Sequence, residues 1–220
     1  MIRSNMIDTT LWQRLILKGS PRVLQNLICA DIHQMTHTPQ WSAFCNQSGK
    51  VISTCWISTQ NDTWSVDIPQ SLENILVQHL QKYALREPFI ITHSQVESDA
   101  RFTMNYAIVH RHPILGTNTT ERFTPHMLHC DQITDAISWT KGCYLGQEVI
   151  MRTHQLGKNK RTLQAFKTPH PIQAQSIQDE QGRVIGSIIN QMHQDECTYL
   201  SGVVTEATTY FIDDQPLTLL

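Results

Sequence analysis

At 220 residues the chain is long enough for one large domain or two small ones, and a body of that size buries a working core without metal or disulfide staples. Hydrophobic residues make up 40% and charged residues 16%, with a formal net charge of -2, which excludes a chain-wide polyanion-binding character and confines any nucleic-acid contact to a local patch. Met1 to Asp8 lack the apolar stretch of a secretory signal, and no later stretch stays apolar for the roughly 18–20 residues a membrane span needs. The expectation is a cytoplasmic protein without membrane contact. Six cysteines with no C-x-x-C pair are expected to be reduced, most of them small buried hydrophobes.

Ser20-Pro21 sets a capping residue before a proline at the first helical position, and Val23, Leu24, Leu27 and Ile28 follow at helical spacing, predicting a short amphipathic helix. Residues 41–45 and 51–57 flank the turn signal Gln47-Ser48-Gly49-Lys50, and Asn61-Asp62 separates the second run from 64–68. Their β-branched and aromatic content predicts a meander of three strands. Over 71–83, Leu72, Ile75, Leu76, Leu80 and Tyr83 share one helical face. Residues 89–92 and the alternating Phe102, Met104, Tyr106 and Ile108 predict two more strands, joined by Glu97-Ser98-Asp99. A loop over 113–125, marked by Pro113, Gly116 and Pro125, leads into a predicted helix over 126–138. Beyond Arg161, short runs at 163–166, 184–189, 198–204 and 209–212 are separated by Asp179-Glu180-Gln181-Gly182 and Asp213-Asp214-Gln215-Pro216, predicting a small β-barrel. The fold class expected is α+β, with an α+β domain over residues 1–158 and the barrel over 159–220.

The chemistry concentrates in residues 139–152, Trp139-Thr140-Lys141-Gly142-Cys143-Tyr144-Leu145-Gly146-Gln147-Glu148-Val149-Ile150-Met151-Arg152. Two glycines bracket a cysteine just before a helix expected to begin near Gly146, which permits a tight turn with an accessible thiol. Free N–H groups at the helix start and the charge of Lys141 both favour a thiolate, so Cys143 is the expected reactive thiol. Glu148 has a plain structural role in the first helical turn, where a carboxylate complements the helix dipole. His126, His129 and Cys130 stand at i, i+3 and i+4, but no fourth ligand follows at motif spacing, so no metal site is expected. The cations of Met151-Arg152-Thr153-His154 and Lys158-Asn159-Lys160-Arg161 are read as a solvated face rather than an RNA-binding one, since no aromatic residues interleave them. None of the eleven histidines has a recognisable pairing with Cys143 of the kind a cysteine hydrolase needs.

The run Lys-Gly-Cys-Tyr-x-Gly-Gln-Glu, with an arginine four residues after the glutamate, resembles the signature of the YgfZ family, whose relatives include the T-protein aminomethyltransferases and mitochondrial iron–sulfur assembly factors. Supporting similarity lies in Phe123-Thr124-Pro125-His126-Met127-Leu128 and Leu156-Gly157-Lys158-Asn159-Lys160-Arg161-Thr162-Leu163, and more faintly in Leu17-Lys18-Gly19 with Asp31, Ser48-Gly49-Lys50 and Lys82-Tyr83. The resemblance implies an aminomethyltransferase-like folate-binding fold with a C-terminal small β-barrel. It also implies a role in assembling or repairing iron–sulfur clusters in client enzymes, tRNA-modifying radical enzymes among them, without independent turnover. The alternative is a tetrahydrofolate-dependent aminomethyl or methyl transferase. Carried over residue by residue, Cys143 as functional thiol and Lys141 are the positions expected to carry chemistry. Gly142, Tyr144, Gly146, Gln147, Glu148 and Arg152 are expected at the cofactor site, with tetrahydrofolate as the implied cofactor. Implied partners are iron–sulfur client enzymes or the assembly machinery, and folate, with no direct tRNA contact expected. The resemblance leaves open whether Cys143 is ligand, nucleophile or redox sensor. Trp139 stands where the family often has phenylalanine, and between Ile108 and Phe123 the chain has a short loop where members usually carry a further αβ segment. That departure removes much of one wall of the implied folate channel, and Arg111 lies near it.

Overall fold

The strand-forming residues organise the first half of the molecule. In the computed structural model, which describes residues 12–157 and 159–220, β1 (Trp12–Lys18), β2 (Gln40–Cys45), β3 (Val51–Gln60), β4 (Thr63–Pro69) and β5 (Ile90–Ser94) form one antiparallel sheet in the order β2-β3-β4-β1-β5. The reading of Met1 to Asp8, and Lys158 in the basic segment, lie outside the described residues. The predicted meander is β2-β3-β4. Its second turn is Asn61-Asp62, with φ of 50° and 57°, a two-residue hairpin loop whose left-handed geometry Asn and Asp tolerate. Missing from the sequence reading was β1, whose Arg14 interrupts the apolar pattern; it sits opposite Asp67 in the register and pairs with it at 2.6 Å.

Both faces of the sheet are covered. On one, Leu15, Leu17, Phe44, Ile57 and Val66 pack with Leu24 of α1 (Pro21–Gln25) and with Leu76 and Leu80 of α2 (Glu73–Tyr83). On the other, Trp12, Trp41, Ala43 and Trp56 meet α3 (Met104–Val109), the long loop after it, Ile150 of α4 (Gln147–Leu156), and Leu163 and Val203 of the barrel. α4 starts one residue after Gly146, where the helix was expected.

Two expected elements are corrected. The alternation Phe102, Met104, Tyr106, Ile108 is not a strand: a 3-10 turn over Ala100–Phe102 runs into α3. The side chains of Asp99 and Thr103 decide it, accepting hydrogen bonds from the N–H groups of Arg101 and Tyr106 and so starting helical turns. Nor is 126–138 a helix; it is a series of turns with one 3-10 segment, Cys130–Gln132. His129 and Asp135 take left-handed φ values of 60° and 59°, which break the i→i−4 ladder, and the Cys130 N–H reaches back to the Pro125 carbonyl.

β6 (Arg161–Thr168), β7 (Ser176–Gln178), β8 (Val184–Gln194), β9 (Cys197–Thr205), β10 (Tyr210–Ile212) and β11 (Gln215–Leu219) close into a barrel in the order β10-β11-β6-β9-β8-β7, around Phe166, Ile177, Ile188, Leu200 and Ile212. The stretch read as the last turn is shorter than expected. Asp213-Asp214 alone, at φ 48° and 60°, turn the chain, and Gln215 and Pro216 already belong to β11. The barrel is locked to the first half by Asn190 of β8, whose buried amide accepts from the Ile114 N–H at 2.9 Å and donates to the Ile114 carbonyl at 2.8 Å. Replacing it strands two buried main-chain groups. Asn190→Ala is expected to lower stability by about 3 kcal/mol, at roughly 1–3 kcal/mol for each unsatisfied group, as read from urea titration.

Candidate functional site

Residues 138–145 form a loop fastened to the segment that follows α1. The Ser138 N–H donates to the Cys29 carbonyl at 2.9 Å, and the Leu145 N–H to the Asn26 carbonyl at 2.8 Å. Between these two pins the Lys141 ammonium donates to the carbonyls of Gln25 (2.7 Å), Ile28 (2.5 Å) and Ala30 (2.8 Å), and sits 4.6 Å from the centre of the Tyr144 ring. Its three hydrogens therefore have three acceptors. Lys141 is buried, and that burial draws its pKa down from the ordinary lysine value to about 8. The segment it grips is braced further by Gln25, which donates to Asp31 at 2.8 Å and accepts from the Ile32 N–H at 2.9 Å. The charge of Lys141 is thus committed to main-chain carbonyls.

Cys143, two residues on, is exposed; Cys29, Cys45, Cys55 and Cys130 are buried, and Cys197 is half-buried. A hydrogen bond to Cys29, 3.6 Å away, and burial push the Cys45 thiol well up, and burial does the same to Cys55 and Cys130. Among the described residues no group of three or more His, Cys, Asp or Glu side chains is placed to hold a metal ion. Cys143 borders a cavity of about 340 Å³ whose other walls include Val23, Leu27, Tyr83, Tyr144 and Leu145. Tyr144 is 6% exposed, burial raises its pKa, and its buried hydroxyl has no hydrogen-bond partner among the described residues.

The remaining signature residues do other work. Gly146, at φ 80°, lies against the β2–β3 turn so closely that a Cβ would come 2.6 Å from the Asn46 carbonyl oxygen and 2.8 Å from the Gly49 Cα. Gly142 has open space around it, since a Cβ there meets nothing within 4 Å. Gln147 and Glu148 occupy the first turn of α4, and Arg152 is exposed further along it. The structure brings Cys143 and Tyr144 to one cavity, and leaves Gly142, Gly146, Gln147, Glu148 and Arg152 off its walls. Val23 and Leu27 were read only as helix residues and Asn26 was not read at all, and nothing in their spacing marks them as walls. Trp139 stacks on His154 of α4 with ring centres 3.9 Å apart, beside a buried His126 whose ring nitrogens lack partners and whose pKa burial lowers.

A two-helix-covered antiparallel sheet joined to a closed barrel is the fold of an aminomethyltransferase. The glycine cleavage system aminomethyltransferase T of Bartonella henselae superposes with a TM-score of 0.71 over 97% of this chain and 82% of that one, at 12% identity. No protein-family model matches the chain. The tRNA-modifying protein YgfZ of Colwellia psychrerythraea is 44% identical over 71 residues, 31% of this chain and 22% of that protein. The protein of the same name from Blochmanniella pennsylvanica is 41% identical over 71 residues, 32% of this chain and 21% of its own length. The signature, the fold and these relatives together make the chain similar to YgfZ proteins over part of its length. The matched stretches span about a fifth of those relatives' length.

The two ends of the loop give separate predictions. Gly146→Ala forces a side chain into a left-handed residue pressed on main chain and is expected to cost about 2–4 kcal/mol, whereas Gly142→Ala leaves the melting temperature unchanged. For Lys141 the sign follows from linkage. A folded pKa of about 8 against roughly 10.4 unfolded means that between those values the unfolded chain holds more protons. The contribution of Lys141 to stability therefore rises with pH across that window. Urea titrations of wild type and Lys141→Met should show the wild-type advantage growing from pH 8 to 10, by at most about 1.4 kcal/mol per pH unit.

Proposed function

We propose that this protein is an auxiliary factor for the assembly or repair of iron–sulfur clusters in client enzymes, tRNA-modifying ones included, acting through the Lys141-Gly142-Cys143 loop. The observation that carries this reading is an exposed thiol on a loop pinned from both sides, with Lys141 spent on three carbonyls rather than left free for acid–base work. A held, accessible sulfur suits transient contact with a cluster, a cluster ligand or a client cysteine. It does not assemble the nucleophile, base and oxyanion donors of a catalytic constellation. Similarity to YgfZ proteins, which are named for tRNA modification, supports the same reading. The free cysteines support a reducing, cytoplasmic setting, and direct tRNA contact is not part of the proposal.

Tetrahydrofolate is the cofactor the fold implies, and neither cavity beside the signature loop fits it. The cavity beside Cys143 is walled mainly by apolar side chains, with Asn26 its one amide and no carboxylate among its lining, while the amino-pyrimidine edge of a pterin needs several polar partners when buried. A second cavity, lined by Asp31, Gln34, Gln40, Asp135 and Trp139, has suitable polar groups and an aromatic face but holds only about 210 Å³, less than the roughly 300–1,000 Å³ of sites that enclose a ligand of this size. No step of the proposed function passes through folate.

The test is complementation. In cells lacking the endogenous gene, Cys143→Ala is expected to lose a nucleoside modification made by an iron–sulfur tRNA-modifying enzyme, with the circular-dichroism spectrum and melting of the purified chain unchanged. Full complementation by Cys143→Ala removes the proposal. Titration calorimetry with tetrahydrofolate under reducing conditions is expected to give no saturable heat. Saturable binding together with turnover of a glycine-type donor would establish the aminomethyltransferase alternative instead.

A further inference from the structure

Two buried thiols lie in the platform that holds the signature loop. Ile28 bridges Phe44 of β2, the Cys29 N–H donates to the Ala43 carbonyl at 2.9 Å, and Cys45 is the last residue of β2. Cys29 and Cys45 pack in the same core as Trp41 and Ala43, fully buried, with their sulfurs 3.6 Å apart. The main chain around them carries the loop. The Cys29 carbonyl accepts the Ser138 N–H, and the carbonyls on either side of it, those of Ile28 and Ala30, accept the Lys141 ammonium. Cys45 leads into Asn46, the residue whose carbonyl Gly146 is pressed against. Cys29 is within electrostatic reach of both the Lys141 ammonium and the Tyr144 hydroxyl. The proposed contact at Cys143 makes no use of this pair.

Cys29 stands opposite Ala43, so Cys45 is its diagonal neighbour, and diagonal Cα atoms lie roughly 7–8 Å apart against the roughly 4.4–6.8 Å of a relaxed disulfide. Closing the sulfurs from 3.6 Å to about 2.05 Å therefore draws the Cys29 segment toward the end of β2 and shifts the carbonyls that Ser138 and Lys141 hold. We infer that Cys29 and Cys45 form a reversible redox switch in the platform of the signature loop: a peroxide oxidises them to a disulfide, and the displacement of residues 28–30 loosens the loop that presents Cys143. The inference goes beyond the assembly-factor reading and does not depend on what Cys143 contacts. One thiolate attacks a peroxide oxygen, the O–O bond breaks, and a sulfenic acid and hydroxide result. The second thiolate attacks the sulfenic sulfur, the S–S bond forms, and a second hydroxide leaves. The two hydroxides take the two protons the thiols gave up, so two electrons pass from the pair to the peroxide and two waters form. Burial keeps peroxide from the pair until the segment opens, so oxidation follows that opening. A strained disulfide is readily reduced, which suits a switch rather than a permanent staple.

The full chain carrying Cys143→Ser, which removes the exposed thiol, tests this with hydrogen peroxide, differential alkylation read by mass spectrometry, and hydrogen exchange. A peptide pair joined through Cys29 and Cys45 is expected, and dithiothreitol should separate it. Amide exchange over residues 138–145 should be about tenfold faster in the oxidised chain, the factor that losing one loop-anchoring hydrogen bond gives. Cys45→Ala in the same background should show no peroxide-dependent change in that exchange, and Cys29→Ala takes its place if Cys45→Ala does not fold. Recovery of Cys29 and Cys45 as thiols after peroxide overturns the inference, and so does a bond from either one to Cys130. A Cys29–Cys45 disulfide with unchanged exchange over 138–145 overturns it too, as does faster exchange on oxidation in the chain that lacks Cys45. Complementation by Cys143→Ala would remove the assembly-factor reading and leave the switch standing.

Discussion

An ammonium ion hidden from water must replace its hydration with other acceptors, and the way Lys141 does this sets the geometry around it. Its acceptors are the carbonyls of Gln25, Ile28 and Ala30. Gln25 closes α1, and Ile28 and Ala30 lie in the segment beyond it, so a cation there answers a need of the main chain as well as its own. One side chain thereby joins two segments more than a hundred residues apart in sequence. With Lys141 drawn inward and Tyr144 buried, Gly142 and Cys143 between them lie outside. The exposure of the thiol is a consequence of what its neighbours bury.

The far end of the loop is fixed by packing rather than by charge. Gly146 and Gly49 both take left-handed backbone, and the contact is so close that a Cβ on Gly49 would meet the Val149 Cβ at 2.9 Å. The β2–β3 turn and the start of α4 therefore approach as bare backbone. Held by hydrogen bonds at one end and by this contact at the other, the loop presents its sulfur with little conformational entropy left to lose when a partner engages it.

Much of this was legible in the amino-acid pattern, and the failures have identifiable causes. β3, β4 and α2 follow from residue type and period, because their side chains face cores that run the length of each element. α3 was misread because four alternating apolar residues also satisfy part of a helical pattern, and the deciding signal was the pair of caps, Asp99 and Thr103. The supposed helix at 126–138 fails at His129 and Asp135, two residues whose tolerance of left-handed backbone is not visible in an apolar count. At the site, Cys143 stands out by its glycine neighbours. The role of Lys141 does not, since its three acceptors are main-chain atoms that no motif encodes.

The second face of the sheet explains why accessible chemistry gathers on the Cys143 side. Where the family resemblance implies a further αβ segment, this chain places α3 and a loop, and Tyr106 and His112 lie against the sheet's tryptophans with His110 stacked on Tyr106. The His112 ring stacks on Trp56 with centres 5.1 Å apart at an angle of 9°, and meets Trp41 edge-on at 4.9 Å. Burial lowers the His112 pKa, so its neutral ring packs as an aromatic among aromatics, with Arg101 5.1 Å from the Trp56 ring at the margin. A chain that fills this region with its own aromatic rings retains the signature loop on the opposite seam, where α1, α2 and residues 143–145 leave an apolar space. The sheet keeps both faces covered, and of the signature side chains it is Cys143 and Tyr144 that line the apolar space.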